Sequence, residues 1–320
     1  MPRQVLVIGG SGFVGSALIP RLRAGGFRVC LLNRGSRPVP GTTQLVADRD
    51  DPAQLSDAAH ALTSLHAVID TSAYTRRQCE SAWSILAPRT RHWIHLSSAG
   101  VYSERTKEPP TEHSPIGGAP VWGDYGKDKS EVDDFLLQRH EGPAITILRP
   151  PYLYGPGNNN ERETYVWARV LQGKSILVPG DGETMVQFLH VDDLADAFVR
   201  LASRAAKGTS VYNIAAEPAM SLTEWAQAVA ASCGAGAKLI RSAGAHAQDF
   251  QPRQYFPFRD FPCWVDTTNI RTALGWHPLY KFDAGIKQTL MSYDVRQLCA
   301  MDAFFGAEDQ ILTRMRNVGE

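Results

Sequence analysis

Residues 5–19 read VLVIGGSGFVGSALI. The apolar run from Val5 to Ile8 ends in glycines, and from Ser16 to Ala24 the residues Ala17, Leu18, Ile19 and Leu22 recur at helical spacing, which predicts strand, turn and helix. In the turn, Gly9, Gly12 and Gly15 form a GxxGxxG pattern, with Phe13 and Val14 inside it. One glycine permits the tight turn, one lets backbone N–H groups approach a pyrophosphate, and one allows the helix to pack against the strand. The arrangement predicts a dinucleotide site, with a purely structural glycine turn as the alternative.

Outward from that unit, Arg28–Leu32, Gln44–Ala47, Ala67–Asp70, His92–Leu96 and Ala144–Leu148 read as strands. Helical segments are expected around Pro52–Leu65 and Gly126–His140. Continuous apolar strands alternating with helices indicate an α/β fold, a Rossmann doubly wound parallel sheet covered on both faces. After Arg149 the sequence PPYLYGPGNNN reads as a long functional loop. The expected organisation is a Rossmann domain over 1–155, with segments near 185–215 returning to it and Val211–Ile214 rejoining the sheet. A smaller mixed α/β C-terminal lobe for substrate is expected over 156–285, with helices at Leu222–Ser232 and Thr268–Leu274, and a helical tail over 286–320.

Lysine and arginine number 33, and so do aspartate and glutamate, which leaves no net field to recruit nucleic acid or an anionic membrane. Five scattered cysteines lack metal-ligand spacing and cannot all pair within the chain, so no metal is expected and a reducing, cytoplasmic setting fits. No apolar run approaches the roughly 18 residues that span a bilayer, and the first residues lead directly into a strand; the chain reads as soluble.

Cofactor choice is usually set at the end of the second strand, where an acidic side chain accepts from the adenine ribose and repels a 2′-phosphate. Here Asn33 and Arg34 stand instead, so the excluding charge is missing and Arg34 or Arg37 could meet a phosphate; equally, Arg34 could stack on the adenine or stay solvated. Asp48 could touch the adenine amine or cap the helix near Pro52. Ser72 and Ala73 follow the fourth strand, where ligands of open α/β sheets bind, and would flank the nicotinamide.

Tyr125 and Lys129 form YGKDK, four residues apart on one helical face. A phenol with a pKa of about 10 is a poor base at neutral pH, but a neighbouring ammonium favours phenolate and can also hold the nicotinamide ribose. Ser98, in HLSSAGVY at a strand end, can hydrogen-bond the reacting oxygen. These three are the expected catalytic group. Tyr125 would remove a hydroxyl proton while hydride leaves the same carbon.

With those residues in hand, the chain resembles the extended short-chain dehydrogenase/reductase superfamily, the NAD-dependent epimerase/dehydratase family. VIGGSGFVGS, HLSSAGVY, YGKDK, LRPPYLYGPGN and PGDGETMVQFLHVDDLADA carry the resemblance. Asn33–Gly35 and Asp48–Asp51 look most like a subgroup that includes chloroplast stem-loop RNA-binding relatives. The resemblance implies a nucleotide sugar in the C-terminal lobe, a retained NAD with NADP left open, and a homodimer. Sugar 4,6-dehydratases of the family follow the catalytic hydroxyl with Asp-Glu; here Ala99 and Gly100 stand there, which argues against that activity. Relatives' phosphate-binding Arg-Asp is replaced by Val186 and Gln187, with Arg253 or Arg259 as possible substitutes. That departure opens a nucleoside or an unlinked sugar as substrate.

Asn158, Asn159 and Arg162 fall where relatives contact substrate, although asparagines in a glycine-rich loop also suit bare turns. Tyr74 and Cys79, in DTSAYTRRQC, are placed in the cleft, Cys79 as a candidate acid or base or as an inert buried thiol. His190 and Asp192 are catalytic by type but fit helix capping equally. The expected function is NAD(P)-dependent epimerisation or dehydration of a nucleotide sugar or nucleoside through a transient keto sugar. A net NADPH-dependent ketoreductase is the alternative, and a redox-inactive RNA-binding relative is the alternative from another class.

Overall fold

The computed structural model describes residues 3–104, 107–243, 247–301 and 306–318. Six strands lie before residue 150: β1 (Gln4–Ile8), β2 (Arg28–Asn33), β3 (Thr43–Val46), β4 (Ala67–Asp70), β5 (His92–Leu96) and β6 (Ala144–Arg149). With Thr209–Asn213 they form one parallel sheet, ordered Thr209–Asn213, β6, β5, β4, β1, β2, β3. Strands such as AVID and HWIHL are buried along their whole length, as a sheet covered on both faces requires. The strand order reverses between β1 and β4, and the crevice at the carboxyl ends of those two strands is where this topology takes ligands.

Four helices belong to the same region: α1 (Phe13–Ala24), α2 (Pro52–Ala59), α3 (Arg76–Leu86) and α4 (Asp124–Leu137). The sequence reading did not foresee α3. Its start is a capping box, in which the Thr75 side chain accepts from the Gln78 backbone while the Gln78 side chain reaches back to the N-cap. The region is closed by a buried pair, Asp133 Oδ2 to Arg149 Nε at 2.8 Å. Arg149 also donates to the Tyr102 hydroxyl at 3.3 Å, and that hydroxyl donates to Asn213 Oδ1 at 2.5 Å, tying the last strand of the sheet to the loop after β5.

The chain divides into two compact units. The first holds the chain up to Pro151 together with Leu189–Ala215 and Val265–Leu279; the second holds Tyr152–Phe188, Ala216–Trp264 and the chain from Tyr280 onward. Thus 265–279, expected in the substrate lobe, packs with the sheet, and the C-terminal tail groups with the second unit. The second unit is built on aromatic rings: Trp225 meets Phe258 edge-on at 4.6 Å between centroids, and Phe258 meets Tyr152 at 4.7 Å. Its last helix, Glu308–Val318, is anchored by buried Glu308, which pairs with Arg169 at 2.5 Å.

Candidate active site

The glycine turn of the first unit divides its work among three residues. Gly9 has φ +85°, and a methyl group there would collide with Ser72, so the turn after β1 packs directly against the turn after β4. A methyl group on Gly15 would overlap the backbone oxygen of Gly10, which keeps α1 close to β1. Around Gly12 no atom comes within 4 Å of such a methyl, and Gly12 caps α1 without a side-chain hydrogen bond. An open, glycine-lined helix start that presents backbone amides is shaped for a pyrophosphate. The half-buried Phe13 and Val14 form its first turn.

At the end of β2, Asn33 Oδ1 accepts from Gly35 N at 2.9 Å and from Gln44 Nε2 at 2.8 Å, while its amide nitrogen is buried without a partner. Arg34 and Arg37 are exposed beside it. Asp48 Oδ1 accepts from Asp50 N in a local turn, and the cap of α2 is Asp51, which accepts from Ala53 and Gln54.

Between these residues lies Arg49, which sequence reading missed. Its guanidinium makes a two-pronged pair with Asp70, 2.8 and 3.0 Å, and also donates to Ser72 Oγ at 2.9 Å and the Gln78 carbonyl at 3.0 Å. Asp70 Oδ1 in turn accepts from the backbone of Ser72 and Ala73, each at 3.1 Å. Burial alone would push the Asp70 carboxyl up, but the Arg49 charge and hydrogen bonds hold it below its ordinary value. The pair therefore fixes the Ser72–Ala73 turn at the topological crevice.

Ser98 follows β5, and Tyr125, Lys129 and Asp133 stand at successive four-residue steps along one face of α4. A methyl group on Gly100 would stand 3.4 Å from both Ser98 Oγ and Tyr125 Cε1, so those two groups border one clearance. The approach of α4 depends on Gly126, where a methyl would come 2.7 Å from the Gly100 carbonyl oxygen and 2.8 Å from Trp122 Cβ. Tyr125 is 43% exposed, and its ring lies 6.5 Å from the Tyr74 ring. Lys129 is buried, and its ammonium donates to the carbonyls of Ala73 and Leu96 at 2.8 and 2.6 Å. Burial lowers its pKa to about 8.

In the second unit, Asn159, Arg162, Arg253 and Arg259 line a cavity of about 360 Å³ together with Tyr152, Asn160, Glu161 and Pro257. The Arg162 guanidinium stacks 4.7 Å from the centre of the Tyr152 ring. Burial, then the charges of Arg259 and Arg162, lower the Arg253 pKa. Three arginines against one carboxylate, Glu161, give this cavity an excess of positive charge.

The sequence from residue 5 to 215 matches the NAD dependent epimerase/dehydratase family. The chain belongs to that family. Chloroplast stem-loop binding protein of 41 kDa b from Arabidopsis thaliana is 26% identical, with 98% of this chain and 85% of that protein covered. The dTDP-glucose 4,6-dehydratase of Streptomyces niveus is also 26% identical, covering 91% of this chain and 92% of that enzyme. Among solved structures, the UDP-glucose 4-epimerase of Thermotoga maritima with UDP-glucose superimposes with a TM-score of 0.74 at 18% identity, covering 90% of this chain and 98% of that one, a likeness of fold.

In this epimerase/dehydratase family member, Gly9, Gly12, Gly15, Ser72, Ala73, Tyr74 and Ser98 follow β1, β4 and β5, Tyr125 and Lys129 stand on α4, and all belong to the first unit. Three expectations need correction, and for His190 and Asp192 the capping alternative holds. Cys79 is not in the cleft: the capping box starts α3 early and turns the thiol into the apolar core, where burial pushes its pKa far up. Asn158 is buried and organises its own loop, donating to Glu163 Oε2 at 3.0 Å and accepting from Asn160 N at 3.1 Å. Gln187 is 3% exposed, within backbone pairing to Tyr152 and Cys263. His190 caps the helix Val191–Ser203 by accepting from Asp192 N at 3.1 Å, and Asp192 pairs with Arg21 at 3.0 Å, so both are structural. Among the described residues no group of three or more His, Cys, Asp or Glu could hold a metal ion, and no helix is long and apolar enough to cross a membrane.

Proposed function

We propose that this chain is an NAD-dependent sugar-modifying enzyme that oxidises a hydroxyl carbon of a nucleotide sugar transiently, with epimerisation at that carbon as the net result. The carrying observation is the clearance at Gly100 bordered by Ser98 Oγ and the ring of Tyr125, which shares its helix with buried Lys129. NAD bound at the glycine turn would supply the hydride acceptor and return the hydride. Tyr125, as phenolate, takes the hydroxyl proton and later gives it back, Ser98 donates a hydrogen bond to the reacting oxygen, and the Lys129 charge favours the phenolate. Ala99 and Gly100 offer no acid or base, which disfavours 4,6-elimination. The arginine cavity supports an anionic substrate and suits the diphosphate of a nucleotide sugar. Arg253→Ala is expected to raise KM for UDP-glucose about 10–100-fold with little change in kcat, the loss of one charged hydrogen-bond donor, in steady-state assays.

Five unpaired cysteines support a cytoplasmic setting, and a homodimer is part of this reading by family likeness. A second reading, net ketone reduction with NADPH, is favoured by the uncharged Asn33 with exposed Arg34 and Arg37 beside it. Native mass spectrometry of freshly purified protein, followed by denaturation, separates the two. NAD released without added ligand supports the internal cycle, and a site that arrives empty and fills with NADPH replaces it with the reductase. A site that accepts neither nucleotide sinks both and points to a binding protein, as the stem-loop relative is named.

A further inference from the structure

Lys129 has three ammonium hydrogens, and the first unit surrounds them with three acceptors. Two are the backbone carbonyls of Ala73 and Leu96; the third is the side chain of His95, whose Nε2 lies 3.3 Å from Nζ. His95 is fully buried on β5, in register with Asp70 on β4 and Ile147 on β6. An apolar ring would fill that space without bringing two nitrogens into the core. An ammonium can donate to Nε2 only if that nitrogen is bare, an arrangement that requires the ring proton on Nδ1. Among the described residues Nδ1 has no hydrogen-bond partner, so hydrogen bonding at that nitrogen does not explain the imidazole. Nε2 stands 3.3 Å from Lys129 Nζ and 4.0 Å from Asp133 Oδ1, so the lysine is the nearer of its two charged neighbours.

We infer that His95 is a positioning residue for Lys129: its bare Nε2 takes the third ammonium hydrogen, fixing where the charge stands and the pH at which it is lost. The surroundings keep the imidazole in the form this needs. Burial and the Lys129 charge hold its pKa well below the ordinary value, with Arg49 beyond β3 and Arg149 on β6 acting in the same direction and Asp70 on β4 opposing them. Around Lys129 itself, burial lowers the pKa, Arg49 adds to this, and Asp133 on α4, Asp70 and Cys79 on α3 oppose it. Removing the acceptor destabilises the charged lysine, so the Lys129 pKa must fall further, and an alternative acceptor in the same place must restore it.

The direct test is NMR of the full chain labelled with 15N in histidine and lysine, with Lys129 assigned through Lys129→Met. In wild-type protein His95 is expected as the neutral Nδ1–H tautomer, and an Nε2–H tautomer overturns the inference without any variant at His95. His95→Phe is expected to lower the Lys129 titration midpoint by about one pH unit, and His95→Gln, whose carbonyl oxygen can accept, to bring it back. An unchanged midpoint in folded His95→Phe overturns it; if that variant does not fold, His95→Met against His95→Gln makes the same comparison. The activity arm rests on the proposed function: kcat of His95→Phe should fall about fivefold at pH 8, approaching tenfold at higher pH, with its alkaline limb following the NMR midpoint and KM unchanged. The NMR result stands whether or not the chain turns over a nucleotide sugar, so the two readings fail separately.

Discussion

Tyr125→Phe is expected to lower turnover about 10²–10⁴-fold while NAD binding stays within a factor of two. Phenylalanine keeps the ring that faces Tyr74 at 6.5 Å and borders Gly100, so the local packing survives. Only the hydroxyl that must shuttle the substrate proton is lost, and neither Ser98 nor Lys129 can replace it: a serine hydroxyl is far too weak an acid, and the buried ammonium is already donating to two carbonyls. Stopped-flow measurement of nucleotide reduction and isothermal titration of NAD would read the two halves separately. Wild-type turnover in the variant would remove Tyr125 from the mechanism; loss of both turnover and NAD binding would make it a cofactor-site residue instead.

The second large effect concerns stability. Asp70→Asn leaves the Arg49 guanidinium buried opposite a neutral amide, and breaking a buried pair on one side typically costs about 3–5 kcal/mol. Denaturant unfolding should show the midpoint falling with the slope unchanged. The double variant Asp70→Leu/Arg49→Met should recover much of the loss, because no charge is then stranded. The pH dependence has a definite sign. The folded-state pKa of Asp70 is depressed, so the stability it contributes is complete above the unfolded carboxylate value of about 3.9 and is lost as pH falls through the lower folded value. The variant, lacking that contribution, should show a shallower acid limb. A midpoint within experimental error of wild type would mean that the pair is not holding the turn after β4.

What was legible in the sequence was local. VIGG–G–G marks a turn because only glycine tolerates the close approaches at Gly9 and Gly15, with Gly12 left open between them, and YGKDK marks a helical face because four residues make about one turn. The Arg49–Asp70 pair was hidden because its partners lie 21 residues apart on different elements, and no periodicity links a turn arginine to the last residue of an apolar strand. An aspartate ending the fully buried AVID run was nevertheless a signal, since a buried carboxylate needs a partner. α3 could have been found: Thr75 and Gln78 stand at capping-box spacing, and reading them would have moved Cys79 from cleft to core. The cap alternative at Asp48 fell to a neighbour because three acidic residues stand in four positions, and only backbone geometry selects Asp51 as the cap. His190 and Asn158 show the same limit, because a cap, a turn and a ligand draw on the same side chains.

The division of the chain into interleaved units has a consequence for how the protein comes off the ribosome. The first unit is not a contiguous segment: its sheet ends in Thr209–Asn213, and Val265–Leu279 completes it. β6 has left the exit tunnel some sixty residues before the strand that will cover its outer edge, so during synthesis that edge presents unpaired backbone groups to any neighbouring nascent chain. Tyr102, Glu112 and Pro110, made long before, wait with the hydrogen-bond partners of Asn213. A nascent chain stalled near residue 200 should therefore be markedly more dependent on chaperones than one released at its end.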